Sequence, residues 1–554
     1  MISDPVPKKG RPRSGVSRSE IVKAAKARYR SRLKAEGKVT VTVPISEDAN
    51  LILKEDAVQY GVTATALMTQ LLEQAASKHP RTQAATPSAP SAYKLGVTTE
   101  RDILKKHFAD RLVVNPVLTR QLVSFQASKS TPFYRWLKYK EAFSPELVDY
   151  LYDLLPAGKT KKHVLDPFAG TGTALTRACA RKWKATGIEL LPVGASALRA
   201  RLYADTVNLE LFVKSLELLR KTSLVSVHSG YHFPHLRITG SAFSAETERE
   251  LSGYIALMSR IEDKQVRYLF WFAALSVLED VSFTRKDGQY LRWDQRCGRP
   301  LSQKFDKGHI ESFQDAVQRR LTEFAADLTQ RNGDAFARSA QVIEGSCLLE
   351  MGRLPADEFD IILTSPPYCN RYDYTRTYAL ELAFCGCGED EIRRLRQALL
   401  SATVENKSKR AELAEHYASL GAAARFSTAC AAFDRQHALR EVLHHLHRAR
   451  DAGELSNNNV PNLVENYFFE MAVIIFEMAR VLKSGGHVFM VNDNVRYHGE
   501  EVPVDLILSD FAESAGLNVE RIWVLPRGKG NSSQQMGKWG RVELRKCVYC
   551  WRKP

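Results

Sequence analysis

Val164-Leu165-Asp166-Pro167-Phe168-Ala169-Gly170-Thr171-Gly172-Thr173 constrains this chain more than any other stretch. A short apolar strand ends on Asp166, a Gly-x-Gly loop follows, and a helix begins near Thr173. The glycines let backbone approach a ligand closely, and the helix N-terminus favours a carboxylate there. No Gly-Lys-Ser/Thr follows, which argues against a phosphate-binding P-loop. The next strand, Ala185–Ile188, ends in Glu189, 23 residues after Asp166. At that spacing a carboxylate meets ribose hydroxyls, and a dinucleotide site would share the logic. Strand, loop, helix and strand in this order predict an α/β fold with a Rossmann-like sheet.

A second stretch carries chemistry. Phe359-Asp360-Ile361-Ile362-Leu363 reads as a buried strand, and Thr364-Ser365-Pro366-Pro367-Tyr368 follows it. Two prolines cannot continue the ladder, so the chain leaves the sheet stiffly at the edge where open α/β sheets place ligands. The exit offers a hydroxyl, a proline carbonyl and an aromatic face, three parts that suit an exocyclic amine on a planar ring. Such an amine is a poor nucleophile because its lone pair is delocalised. Acceptors at Ser365 and Pro366 that hold both hydrogens out of plane would return the pair to nitrogen, while Tyr368 stacks on the ring. A rigid turn with a tyrosine covering the sheet edge accounts for the five residues equally well.

Together these stretches resemble the amino-group DNA methyltransferases. Asp166–Gly172 (D-P-F-A-G-T-G) resembles motif I and Glu189 the motif II acid; Ser365–Tyr368 (S-P-P-Y) resembles motif IV in its cytosine-N4 form. Thr131–Trp136 leading into Phe143–Val148, with Ser144 as cap and Pro145 in the first turn, resembles motif X. Val342–Cys347 resembles motif III, although Ser346 stands where the family has an acidic or amide residue. The resemblance covers roughly residues 131–206, 340–384 and 462–554. It implies S-adenosyl-L-methionine as cofactor, with Asp166 near its methionine part, Glu189 on its ribose, and Phe168, Gly170, Gly172 and Ser346 beside it. It also implies that Ser365, Pro366, Pro367 and Tyr368 hold a cytosine flipped out of duplex DNA. A C5 mechanism needs a cysteine after a proline, and Cys369 follows Tyr368 instead. Adenine-N6 transfer, RNA as substrate, and a DNA-binding repressor with a decayed enzyme domain are the alternatives. A restriction-modification or phage-defence setting, with a cognate restriction endonuclease, is what the resemblance suggests.

The remainder of the 554 residues is organised around that core, and the length allows roughly two to four domains. Net charge is +16, of which residues 1–38 carry nine, from twelve Lys/Arg against three acids. That excess points to a polyanionic partner. Lys8–Arg13, with Arg11 and Arg13 around Gly-Arg-Pro, resembles an AT-hook core in residues 1–37, or is simply a basic arm. Residues 38–79 resemble a ribbon-helix-helix module: Lys38, Thr40 and Thr42 alternate with Val39, Val41, Val43 and Ile45, and two short helices follow. There two chains would pair as a homodimer and read DNA through the polar face. Packing without DNA contact is the alternative. Residues 80–99 read as a linker, and 100–554 as the catalytic domain with insertions at about 207–335 and 385–458. Helices are expected over 209–219, 256–279, 313–331, 411–420, 438–450, 462–482 and 503–515. In Phe283–Lys307, Arg285, Lys286, Arg292, Trp293, Arg296, Arg299 and Lys304 suit a loop that tracks a nucleic-acid backbone, with a merely solvated face as the alternative. Lys483–Gly486 is expected as a helix-to-strand turn, with closing strands over 487–491, 518–525 and 542–551. Gly528–Gly540 reads as a loop near the target base or the DNA. An odd count of nine cysteines argues for reduced thiols, and no zinc site is read at Cys385/Cys387 or Cys547/Cys550. No apolar run spans a bilayer, so a cytoplasmic, nucleoid-associated protein is expected.

Overall fold

The computed structural model describes residues 99–554, except 157–160, 288–289, 303, 332, 334 and 527–541. The chain divides into Met1–Leu95 and Gly96–Pro554, and the described residues fall in the second unit. The expectations for Arg11, Arg13, Lys38, Thr40 and Thr42, and for Gly528–Gly540, lie outside the described residues.

Eight strands form one sheet: β1 (Leu112–Val114), β2 (His163–Asp166), β3 (Lys184–Glu189), β4 (Ala340–Glu344), β5 (Phe359–Thr364), β6 (Leu482–Asp493), β7 (Asn518–Val524) and β8 (Lys546–Arg552). Their spatial order is β1-β7-β8-β6-β5-β2-β3-β4. Neighbours are parallel except where β8 lies antiparallel between β7 and β6. The central strands are covered on both faces, so they read as continuous apolar runs rather than alternating ones. In β5, Ile361, Ile362 and Leu363 are fully buried. The order reverses at β2. Strands β3 and β4 lie to one side and β5 and β6 to the other, and such switch points open the crevice in which ligands bind.

Helix Val460–Val481 is buried along most of its length and shares a core with β6 and β8. The second insertion joins this core through helices Arg410–Ser419, Ala423–Arg435 and His437–Asp451. The first insertion builds a separate apolar cluster from helices Leu209–Arg220, Ala245–Ser259, Lys264–Val281 and Phe313–Thr329. Buried Asp327 in the last of these takes the Phe133 amide and the Trp136 indole N–H, each at 2.8 Å, and thereby anchors the segment before Ser144. No described helix is long and apolar enough to cross a membrane.

Four expectations change. The helix predicted over 256–279 is two helices, because Asp263 caps the second by accepting from the Gln265 and Val266 amides. Lys483–Gly486 is part of β6, which begins at Leu482 opposite Phe359. The closing strand starts at Lys546 rather than Val542. Phe283–Lys307 is no free basic loop: Thr284–Asp287 and Tyr290–Trp293 pair as a hairpin. Lys286 is buried against Glu381 at 2.5 Å, Arg296 pairs with Asp294 at 2.7 Å, and Arg299 packs on the Trp293 ring. Lys286 is thereby spent on the fold, whereas Arg285, Arg296 and Lys304 stay exposed.

Candidate active site

Asp166 ends β2 and Thr364 ends β5, so the switch point brings the two side chains together. The Thr364 hydroxyl donates to Asp166 Oδ1 at 2.7 Å, and the Phe168 amide donates to the same oxygen at 3.1 Å. Gly170 then turns at φ +53° and Gly172 at φ +79° to start helix Thr173–Ala180. The two glycines have different tasks. Gly170 lines a cleft of about 720 Å³, open mouth included, whereas Gly172 does not. A Cβ on Gly172 would lie 2.3 Å from Leu198 Cδ2, so this residue permits packing of the neighbouring helix.

Glu189, at the end of β3, faces the same cleft. Its two carboxylate oxygens accept from the Gly170 amide at 2.6 Å and the Leu191 amide at 2.7 Å. Burial pushes both acids up to about 7, against the hydrogen bonds that lower them. Glu141 lines the cleft too and is likewise raised by burial; it accepts from the Tyr378 hydroxyl at 2.5 Å. Among the described residues, no lysine, arginine or histidine lines this cleft. A concave site with three desolvated carboxyl groups and no internal cation suits a ligand that brings hydroxyls and positive charge.

Ser346 borders the cleft beyond β4, its hydroxyl donating to the Ala398 carbonyl at 2.7 Å. Phe168, Ser365 and Pro367 also line it; Pro366 and Tyr368 do not. Half-buried Ser365 donates from Oγ to the Tyr368 hydroxyl at 3.4 Å, a contact at the outer limit of hydrogen bonding. Burial raises the Tyr368 phenol, with Asp493 at the end of β6 adding to it. Cys369 is fully buried and burial pushes its thiol up, the reverse of what a nucleophilic cysteine needs. Asp166, Phe168, Gly170, Glu189, Ser346, Ser365 and Pro367 thus meet in one cleft, assembled from the ends of four strands.

Sequence reading missed Tyr139, Glu141 and Tyr374, which complete the wall. Tyr139 stacks on Tyr378 with centroids 5.0 Å apart, and a Cβ on Gly170 would lie 3.3 Å from its ring. The only signal in the chain was a tyrosine and a glutamate a few residues before the Ser144 cap.

The chain is similar in sequence to type II methyltransferases. The type II methyltransferase M.AvaI of Nostoc sp. is 44% identical over 465 residues, covering 81% of this chain and 92% of the relative. The protein of the same name from Anabaena variabilis matches to the same extent. The type II methyltransferase M.BsoBI of Geobacillus stearothermophilus is 36% identical over 472 residues, 82% of this chain and 92% of the relative. No family model and no solved structure matches the chain.

Proposed function

The chain belongs to the type II methyltransferases, enzymes that modify DNA at specific sites, and on that premise we propose that its target is the exocyclic N4 of cytosine in duplex DNA, with S-adenosyl-L-methionine as methyl donor. The observation that carries this reading is Ser365, which opens into the same cleft as Asp166 and Glu189. S-adenosyl-L-methionine would supply an electrophilic methyl group. The residues present fit it: carboxyl groups with no opposing cation among the described residues for its positive charges, and the helix start at Thr173 for its carboxylate. Asp166 would take the methionine end, Glu189 the ribose, and Phe168 and Ser346 the adenine side.

The chain's own residues then prepare the amine. A base inside a duplex cannot reach the cleft, so the cytosine is extruded, at a cost of roughly a few kcal/mol. Stacking on Tyr368 returns part of this, on the order of 1–3 kcal/mol. Because Ser365 Oγ donates its own hydrogen to Tyr368, its lone pairs are open to accept one N4 hydrogen, with the Pro366 carbonyl accepting the other. The N4 lone pair, freed from the ring, becomes the nucleophile. Arg11, Arg13, Lys38, Thr40 and Thr42 are proposed as further DNA contacts, with the 38–79 segment pairing two chains. A chain lacking residues 1–80 should hold duplex DNA with a shallower salt dependence, and an unchanged slope would remove these contacts.

Sequencing that maps modified bases in DNA from cells expressing the protein, with nucleoside analysis of the digest, tests the assignment. N4-methylcytosine at one short sequence is expected. N6-methyladenine in its place would overturn the base assignment while leaving the enzyme class intact. Modification that protects the site from a nuclease encoded alongside would place the enzyme in a restriction-modification system.

A further inference from the structure

The chain leaves the Ser-Pro-Pro-Tyr corner through Cys369-Asn370-Arg371, and Arg371 adopts φ +67°. Side chains other than glycine rarely occupy that region, and where they do the surroundings enforce it. Here both flanks are anchored. The buried Cys369 carbonyl accepts from the Tyr497 hydroxyl at 2.7 Å, and the Asn370 amide donates to the Tyr368 carbonyl at 2.7 Å. Beyond the arginine, the Tyr372 amide donates to Asn370 Oδ1 at 3.2 Å. Buried Asp373 then caps helix Tyr374–Thr377 and pairs with Arg396 at 3.2 Å.

Among the described residues the half-buried Arg371 guanidinium has neither hydrogen bond nor ion pair, and its Nε is buried without a partner. Arg376 and Arg396, by contrast, are both tied to Asp373. A buried donor without an acceptor and a left-handed arginine each cost stability. Both costs fall on one residue, three positions after Tyr368.

We propose that Arg371 is a positioning residue that holds the phosphodiester of the nucleotide whose base sits at Ser365, an inference that rests on the DNA reading above. A guanidinium presents parallel N–H donors along its two Nη groups, which match two phosphate oxygens. An extruded nucleotide swings about its own backbone, so a fixed contact to a flanking phosphate determines where the base arrives. The clamped turn fixes the arginine's backbone relative to Ser365 and Tyr368, which is what such a contact requires.

The test uses the full chain and a duplex carrying a site mapped by the sequencing above, with Arg371→Gly and Arg371→Lys as variants. Glycine fits φ +67°, so the Arg371→Gly protein should melt at or above the wild-type temperature and bind S-adenosyl-L-methionine normally. Its KM for the duplex should rise roughly tenfold with kcat within about threefold, and the slope of log Kd against log salt should become shallower by about one. Arg371→Lys should restore the slope but only part of the affinity, since an ammonium lacks the fork. Unchanged KM and slope in Arg371→Gly would overturn the proposal, and so would a raised KM with an unchanged slope, which marks a base contact. Should the glycine variant lose cofactor binding, the lysine variant decides, and wild-type affinity there overturns the bidentate contact. Finding N6-methyladenine as product would sink the base assignment above but not this contact, which is read through the backbone alone.

Discussion

The Thr364 hydroxyl donates a 2.7 Å hydrogen bond to Asp166, joining the carboxyl ends of β5 and β2 across the point where the sheet reverses its order. The bond links the strand that delivers Ser365 to the acid that opens the Gly-rich loop. Thr364→Val keeps the shape and removes the donor, leaving Asp166 Oδ1 with the Phe168 amide alone. Thermal unfolding should report a loss of about 1–3 kcal/mol, and calorimetry a weaker grip on S-adenosyl-L-methionine. Unchanged values for both would make the bond incidental.

Stability and cofactor affinity should move in opposite directions with pH. Burial raises Asp166 and Glu189 to about 7 in the folded chain, whereas the unfolded chain releases these protons near about 4. Their contribution to stability is therefore complete below about 4 and is lost as pH rises to about 7. The melting temperature of the free enzyme should fall across that window. A ligand bearing positive charge prefers the ionised acids, so its affinity should climb between about pH 6 and 8, with protons released on binding. Titrations in buffers of unlike ionisation heat count those protons, and a count of zero would contradict the burial argument.

Gly172→Ala should act through packing rather than through contact with the cofactor. The new methyl would meet Leu198 Cδ2 at 2.3 Å, at a φ of +79° that alanine resists. A loss of roughly 1–3 kcal/mol is expected in denaturant unfolding, with cofactor affinity falling because helix Thr173–Ala180 shifts. Loss of affinity at full stability would instead mean that Gly172 touches the ligand.

Ser365→Ala and Tyr368→Ala should separate turnover from binding. If the Ser365 hydrogen bond to N4 is made mainly in the transition state, the alanine variant loses kcat, on the order of tenfold to a hundredfold, at near-normal affinity for DNA and cofactor. Tyr368→Ala should weaken flipping as well, seen as reduced fluorescence of a base analogue at the target position. Near wild-type N4-methylcytosine formation by the double variant would exclude this corner from the reaction.

Lys286→Met tests the corrected reading of the basic stretch. Lys286 sits fully buried between Glu381 and Glu279; burial alone would lower its pKa, but the two carboxylates hold it charged and raise it. Removing one partner of such a pair costs roughly 3–5 kcal/mol. Unfolding of the first insertion at lower denaturant is expected. Normal stability with weakened DNA binding would restore the lysine to a nucleic-acid surface.

The sequence alone determined the local pieces. Apolar runs bounded by Gly, Pro and acid gave β2, β3 and β5; Ser144 and Pro145 gave a helix start; and the 23-residue step from Asp166 to Glu189 gave two acids at one sheet edge. These follow from periodicity and turn chemistry, which act over a few residues. Tertiary structure alone decided which polar groups are spent on the fold and which face the cleft. Glu141 and Tyr378 are 237 positions apart, and only packing brings them to 2.5 Å. Lys286 and Arg371 are both plain basic residues in the sequence. One is buried against two carboxylates, and the other is held at φ +67° without a hydrogen-bond partner among the described residues. Burial and pairing of charge depend on what the rest of the chain places nearby, and no spacing within a motif encodes that.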